Sequence, residues 1–131
     1  MRVITLQEPW ASLIAAGIKT IETRSWPCYD YGDLYIHPGL SKITKADARR
    51  NELLKLLNES PHYREIIAKS TLSECVLITE EYAHSIEESD PKCFYCGDFT
   101  PGRYAWVLKN ITPITPIKAT GKLGIWYFDS K

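Results

Sequence analysis

The apolar residues of this chain come in short, mostly β-branched runs, broken every few residues by Gly, Pro, Asp or Ser. Runs of that length make brief strands and short helices, and the chain shows no internal repeat and no low-complexity tract. Arg2 to Leu6 reads as a strand. Pro9 then stands where a helix tolerates proline, because a first-turn N–H has no partner anyway. Trp10, Leu13 and Ile14 follow at helical spacing, and Gly17 supplies the stop. Lys19 to Arg24 alternates, which puts Ile21 and Thr23 on one face of a strand and Thr20, Glu22 and Arg24 on the other.

A turn over Pro27 to Asp33 leads to a strand at Leu34 to His37. Thr44 with Asp47 predicts the opening of a helix whose apolar side is Leu53, Leu54 and Leu57. Ser60-Pro61 predicts a second helical segment carrying Tyr63, Ile66 and Ile67, followed by a strand from Cys75 to Thr79. The stretch Glu80 to Cys96 reads as acidic and irregular. Tyr104 to Leu108, Ile117 to Thr120 and Ile125 to Phe128 read as three further strands. About six or seven strands with roughly three helices, without regular strand–helix alternation, define an α+β chain: a small mixed barrel with helices over its openings. No G-x-G-x-x-G and no P-loop occurs, which removes the common dinucleotide and NTP sites.

The rest of the sequence narrows the setting. At 131 residues the chain is the size of one domain, and we expect a single unit over 1–131. No apolar run reaches the roughly 20 residues of a membrane helix. MRVITLQEPW has no charged region followed by an apolar stretch, so no secretory signal is expected. With four cysteines (Cys28, Cys75, Cys93, Cys96), that predicts reduced thiols in the cytoplasm. Cys93 and Cys96 form a C-x-x-C, half of a typical zinc site. The other two cysteines lie at irregular spacing, so free thiols are the preferred reading, with no metal or other cofactor.

The segment GIKTIETRSW, Gly17 to Trp26, preceded by Glu8-Pro9-Trp10-Ala11-Ser12, resembles the ASCH domain family. The family's G-x-K-x-x-E-x-R signature is met by Gly17, Lys19, Glu22 and Arg24. Gly32 to His37 resembles the family's Gly-x-Leu-x-Ile-His strand, while GDFTPGRYAW (Gly97 to Trp106) and GKLGIW (Gly121 to Trp126) resemble its C-terminal strands. The resemblance implies a PUA-like barrel of five to seven short strands with flanking helices, and a protein that binds or acts on RNA. In one branch of the family, which deacetylates N(4)-acetylcytidine, a nucleophilic Thr stands three residues after the Lys. Here that position is Glu22, so the mechanism does not carry over.

Physically, Lys19 and Arg24 bring two cations beside one carboxylate, Glu22, an arrangement able to hold phosphate or to do acid–base work. An ordinary cross-strand ion pair is the bland alternative. Trp10 and Trp26 are candidates to wall the cleft, and Trp26, Tyr29 and Tyr31 fall in a polar turn where a base can stack. His37 reads as a hydrogen-bonded structural residue or a base; Arg103 and Lys122 read as phosphate contacts or solvated charges. Ser12 and Thr20 are hydroxyls near Lys19 with no assured base. The leading expectation is therefore RNA, single-stranded nucleic acid or a nucleoside-like ligand held by Lys19, Glu22, Arg24, Trp10, Trp26, His37, Arg103 and Lys122. A hydrolase using Lys19 and Glu22 is the first alternative. A protein-interaction module, with the acidic Glu80 to Asp90 stretch as its surface, is the second.

Sixteen basic and sixteen acidic residues give a formal net charge of zero, which excludes an indiscriminate polycation. The zero is a sum over opposed regions: acidic from Glu80 to Asp90, basic from Lys42 to Lys55 and from Arg103 to Lys131. A locally basic cleft is compatible with it, and such a cleft would take a short segment rather than a long duplex.

Overall fold

The computed structural model describes residues 1–129; Lys131, the last member of the C-terminal basic stretch, and the end of the expected domain lie outside the described residues. The elements run β1 (Arg2–Leu6), α1 (Trp10–Ala15), β2 (Ile21–Arg24), β3 (Gly32–Pro38), α2 (Ala48–Leu54), β4 (Glu65–Leu77), α3 (Glu80–Ser89), α4 (Pro91–Cys96), β5 (Tyr104–Lys118) and β6 (Ile125–Tyr127). The strands form one mixed six-stranded sheet in the order β2-β5-β4-β3-β1-β6, curled as a half-barrel with the helices against it. β1 pairs with β3 in parallel, and the other neighbours run antiparallel. This is the α+β, PUA-like architecture expected from the sequence.

Local signals explain the first third. Gly17 takes φ +78°, and its N–H closes on Ile14 O at 2.9 Å, so α1 ends where a residue with a Cβ would be strained. The N–H groups of Ile18 and Lys19 both return to Leu13 O at 3.1 Å, which turns the chain into β2. Ala11, Leu13 and Ile14 of α1 are fully buried; Ala11 and Ile14 join the main core with Ile4, Leu34, Ile36, Leu72 and Trp106.

Four expectations need correction. The helical segment after Ser60-Pro61 is instead the start of β4, and Ile66 and Ile67 sit in a strand with β3 on one side and β5 on the other. Ile66, Ile67 and Ala68 are all buried, so the run is apolar on both faces and carries no alternation to mark it as a strand. The helix expected from Thr44 begins at Ala48; Asp47 accepts from the Thr44 N–H at 2.7 Å in the turn that precedes it. Glu80 to Cys96 is not irregular. It holds α3, capped by the Thr79 hydroxyl accepting from Tyr82 N–H at 3.1 Å, and α4, with Asp90 at its cap and Pro91 in its first turn. Glu80 and Glu81 favour the N-terminus of α3, and Tyr82, Ala83 and Ile86 pack on a second core cluster.

Ile117 is not in a separate strand either, but in the end of β5, which runs 15 residues against β4 through three register shifts. Pro113 and Pro116 conceal this continuity in the sequence. They are tolerated because β2 pairs only with Tyr104 to Val107, leaving the second half of β5 as a sheet edge that needs no N–H there.

Candidate functional site

Three of the four signature residues, Lys19, Glu22 and Arg24, line one cavity. Lys19 lies in the turn between α1 and β2, and only 1% of it is exposed. Its ammonium donates to Ile21 O at 2.6 Å and pairs with Glu22 Oε1 at 3.3 Å. The other carboxylate oxygen of Glu22 accepts from Arg24 Nη1 at 3.2 Å. Alternation along β2 puts Glu22 and Arg24 on the same face, so the carboxylate sits between a buried ammonium and a guanidinium. The Arg24 guanidinium also lies 4.5 Å from the Trp26 ring centroid and 5.4 Å from that of Trp106, while its Nε has no hydrogen-bond partner among the described residues.

Other elements complete the wall. Arg103, just before β5, donates from Nη2 to Thr23 O at 3.2 Å and pairs through Nε with Asp98 at 3.5 Å. Asp98 in turn donates its N–H to Thr23 Oγ1 at 3.0 Å. The Thr100 hydroxyl, at 2.5 Å, is the main cause that holds the Asp98 carboxyl below its ordinary range; the Thr100 N–H and Arg103 add to it, against a contrary effect of burial. Arg49 of α2 donates to Tyr95 O and lies 4.5 Å over the Tyr95 ring. Trp10 is anchored by its indole N–H on Cys96 O at 2.9 Å. Lys19, Glu22, Arg24, Trp10, Arg49, Asp98 and Arg103, with Thr5, Leu6 and Gln7 at the end of β1, line an open cavity of about 420 Å³. Its lining carries the cations Lys19, Arg24, Arg49 and Arg103 against the carboxylates Glu22 and Asp98.

Of the expected site residues, the structure brings Lys19, Glu22, Arg24, Trp10 and Arg103 together on this cavity. Trp26, His37 and Lys122 are not in its lining. Trp26 sits outside, 52% exposed, joined to the cavity through Arg24. Lys122 is an exposed loop residue. His37 is fully buried, with Nε2 2.7 Å from Ala119 O and Nδ1 3.1 Å from Thr5 Oγ1. The carbonyl can only accept, so Nε2 carries a proton and donates to it, while Nδ1 faces the Thr5 hydroxyl. That hydroxyl also accepts from Trp126 Nε1 at 2.8 Å. His37 therefore acts from behind the cavity wall, fixing Thr5.

The hydroxyls near Lys19 are engaged elsewhere: Ser12 donates to the buried Glu8 carboxylate, and Thr20 to Cys93 Sγ at 3.8 Å. The cysteines do not converge. Cys28 and Cys75 pack on the main core cluster, Cys93 on the second and Cys96 on another with Leu13 and Leu53. Among the described residues, no group of three or more His, Cys, Asp or Glu could hold a metal ion, and no helix is long and apolar enough to cross a membrane.

Sequence reasoning missed Arg49, Asp98 and Thr5 as lining residues. Arg49 is visible in the sequence only as part of a basic stretch, and Asp98 only as part of GDFTPGR, whose Asp-x-Thr spacing forms the turn that points it at Arg103.

A curled, mixed six-stranded sheet with flanking helices defines a PUA-like class of fold. The ASCH domain model matches residues 4–118, and the chain belongs to the ASCH family, which is associated with RNA binding. Solved structures agree on the fold. The crystal structure of ASCH from Zymomonas mobilis matches with a TM-score of 0.54 at 20% identity, covering 89% of this chain and 72% of that one. A tyrosine-to-phenylalanine mutant of the Zymomonas mobilis protein gives 0.56 at 16% identity, covering 98% and 90%. A serine-to-alanine mutant of that protein gives 0.57 at 17%, covering 98% and 88%. No curated protein matches the chain.

Proposed function

We propose that the chain binds RNA through a nucleotide-sized, anionic segment seated in the cavity between β2, α2 and the turn before β5. One observation carries this reading. In a chain of zero net charge, four cationic side chains and only two carboxylates line a single cavity of about 420 Å³ among the described residues. That volume falls within the range of about 300–1,000 Å³ usual for small-ligand sites. Arg24 and Arg103 offer forked donors suited to phosphate, and Glu22 holds Lys19 and Arg24 in place. Trp10 supplies an apolar wall.

The test is binding of a short unpaired RNA, followed by fluorescence anisotropy at two salt concentrations. A site that neutralises one or two phosphates loses about 3- to 7-fold in affinity for a fourfold rise in salt. Arg24→Gln and Arg103→Gln weaken binding and flatten that dependence while the fold is kept. Salt-independent binding, or affinity unchanged in both variants, refutes the reading.

The Lys19–Glu22 pair supports a second reading, a hydrolase. The hydroxyls of Ser12 and Thr20 are occupied elsewhere, so the nucleophile in such an enzyme is water deprotonated by Glu22. It requires product from N(4)-acetylcytidine or a short RNA that disappears in Glu22→Gln; no turnover across a panel of modified nucleosides and oligonucleotides removes it.

A further inference from the structure

The segment between β2 and β3 carries Trp26, Tyr29 and Tyr31, which are 52%, 63% and 49% exposed. Three large aromatics left in water on one short connection cost hydrophobic free energy and contribute little to the core. A mobile loop would at least gain entropy from this exposure, but the connection is held at several points. The Trp26 carbonyl accepts from Trp106 Nε1 at 3.1 Å. Cys28 packs on the main core. Arg2 grips the far end, donating to Asp30 O at 2.5 Å and Asp33 O at 3.1 Å and pairing with the Asp30 carboxylate at 2.9 Å. The aromatics are thus presented on a fixed support.

Trp26 is also tied to the cavity. The Arg24 guanidinium that lines the cavity lies 4.5 Å from the Trp26 ring centroid. A cation on one part of the indole and solvent on the rest leave a ring already oriented and still half free. We infer that Trp26 is the stacking platform for the nucleobase adjacent to the nucleotide in the cavity, so that the ligand is an unpaired oligonucleotide of at least two residues rather than a free nucleotide. The inference rests on the cavity reading above and adds a second subsite to it. The physical logic is pre-organisation: the ordering cost of the platform is met in folding, so stacking counts almost fully toward binding. A base held in a duplex cannot offer its face to the indole, so the subsite selects single strands.

The experiment compares a nucleoside monophosphate, the matching dinucleotide and a base-paired duplex containing it, by calorimetry on the whole chain. Stacking on one aromatic raises dinucleotide affinity over the monophosphate by about 10- to 100-fold. In Trp26→Ala the ratio of the two affinities falls to within about 3-fold, and Trp26→Phe restores most of it. The duplex binds more weakly than the dinucleotide. Because the Trp26 side chain is half exposed, circular dichroism of both variants should match the parent chain. An unchanged ratio in Trp26→Ala, or a wild-type ratio near one, overturns the subsite while leaving the cavity reading intact if Arg103→Gln still weakens the monophosphate. Absence of binding by all three ligands overturns both.

Discussion

Replacing Lys19 by methionine keeps the volume and removes the charge. The ammonium is 1% exposed and has two partners, Ile21 O at 2.6 Å and Glu22 Oε1 at 3.3 Å. Removing one member of a buried ion pair costs about 3–5 kcal/mol when the other is stranded. Glu22 is not fully stranded, because Arg24 remains at 3.2 Å, and that retained pair brings the charge cost below this range, to about 2 kcal/mol. The Ile21 carbonyl loses its lysine donor, which costs about 1 kcal/mol more. For 131 residues the unfolding entropy near 60 °C is about 0.28 kcal/mol/K, so about 3 kcal/mol lowers Tm by about 10 °C. The assay is calorimetry, with urea unfolding to check that the m-value is unchanged. Lys19→Met/Glu22→Gln should be less destabilised than the sum of the single variants by about 1–2 kcal/mol, since neutralising the carboxylate removes the penalty for its lost partner. A Tm within about 2 °C of wild type for Lys19→Met, or strict additivity in the double variant, refutes the view that this cation is held by the fold.

Gly121→Ala should lower stability by about 2–4 kcal/mol in urea unfolding, because φ there is +81° and a Cβ would stand 2.3 Å from Cε1 of the fully buried His37 ring; a neutral effect would mean that His37 is free to move. The Asp98 carboxyl is held low mainly by the Thr100 hydroxyl, so its charged form favours the folded state. The resulting stability is present above about pH 4 and is lost as pH falls through the lowered value, and Asp98→Asn should flatten that acid limb of Tm against pH. Burial pushes the Cys96 thiol up, and Cys93 and Cys96 are both under 2% exposed. Ellman's reagent should therefore titrate the half-buried Cys28 and Cys75 first, with Cys93 and Cys96 reacting only on unfolding; four equally fast thiols would contradict the packing.

Signals confined to neighbouring residues are readable in the sequence. Pro9 and Gly17 bracket α1, and the Lys19 to Arg24 alternation by itself places Glu22 and Arg24 on one face. Signals that depend on distant partners are not. Ile66 and Ile67 look the same in a buried helix as in a strand covered on both faces, and only pairing with β3 and β5 decides between them. The helices α3 and α4 are hidden for a different reason: their caps, Thr79 and Asp90-Pro91, are present in the sequence, but the charge density between them suggests a solvated, irregular stretch. The site divides the same way. Lys19, Glu22 and Arg24 are neighbours in sequence, whereas Arg103 reaches Thr23 across 80 positions because Arg24 of β2 is in register with Tyr104 of β5. A register is a property of the folded sheet, and one sequence does not state it. His37 belongs to a recognisable strand motif, yet the Thr5 and Ala119 groups that make it a support lie 32 and 82 residues away.

Charge is spread unevenly over the molecule. The chain totals sixteen basic and sixteen acidic residues, yet the cavity holds Lys19, Arg24, Arg49 and Arg103. The balance is returned elsewhere, notably on α3, where Glu80, Glu81, Glu87 and Glu88 stand without a Lys or Arg. Beyond about a Debye length, roughly 8 Å at physiological salt, the cavity's own field no longer reaches a polyanion that outgrows it. Affinity for unpaired RNA should rise with the first few nucleotides and then level off. Anisotropy over a series of about two to twelve nucleotides measures this directly. A steady gain in affinity with every added phosphate would require a basic surface beyond the cavity lining, and would move the binding face away from this cavity.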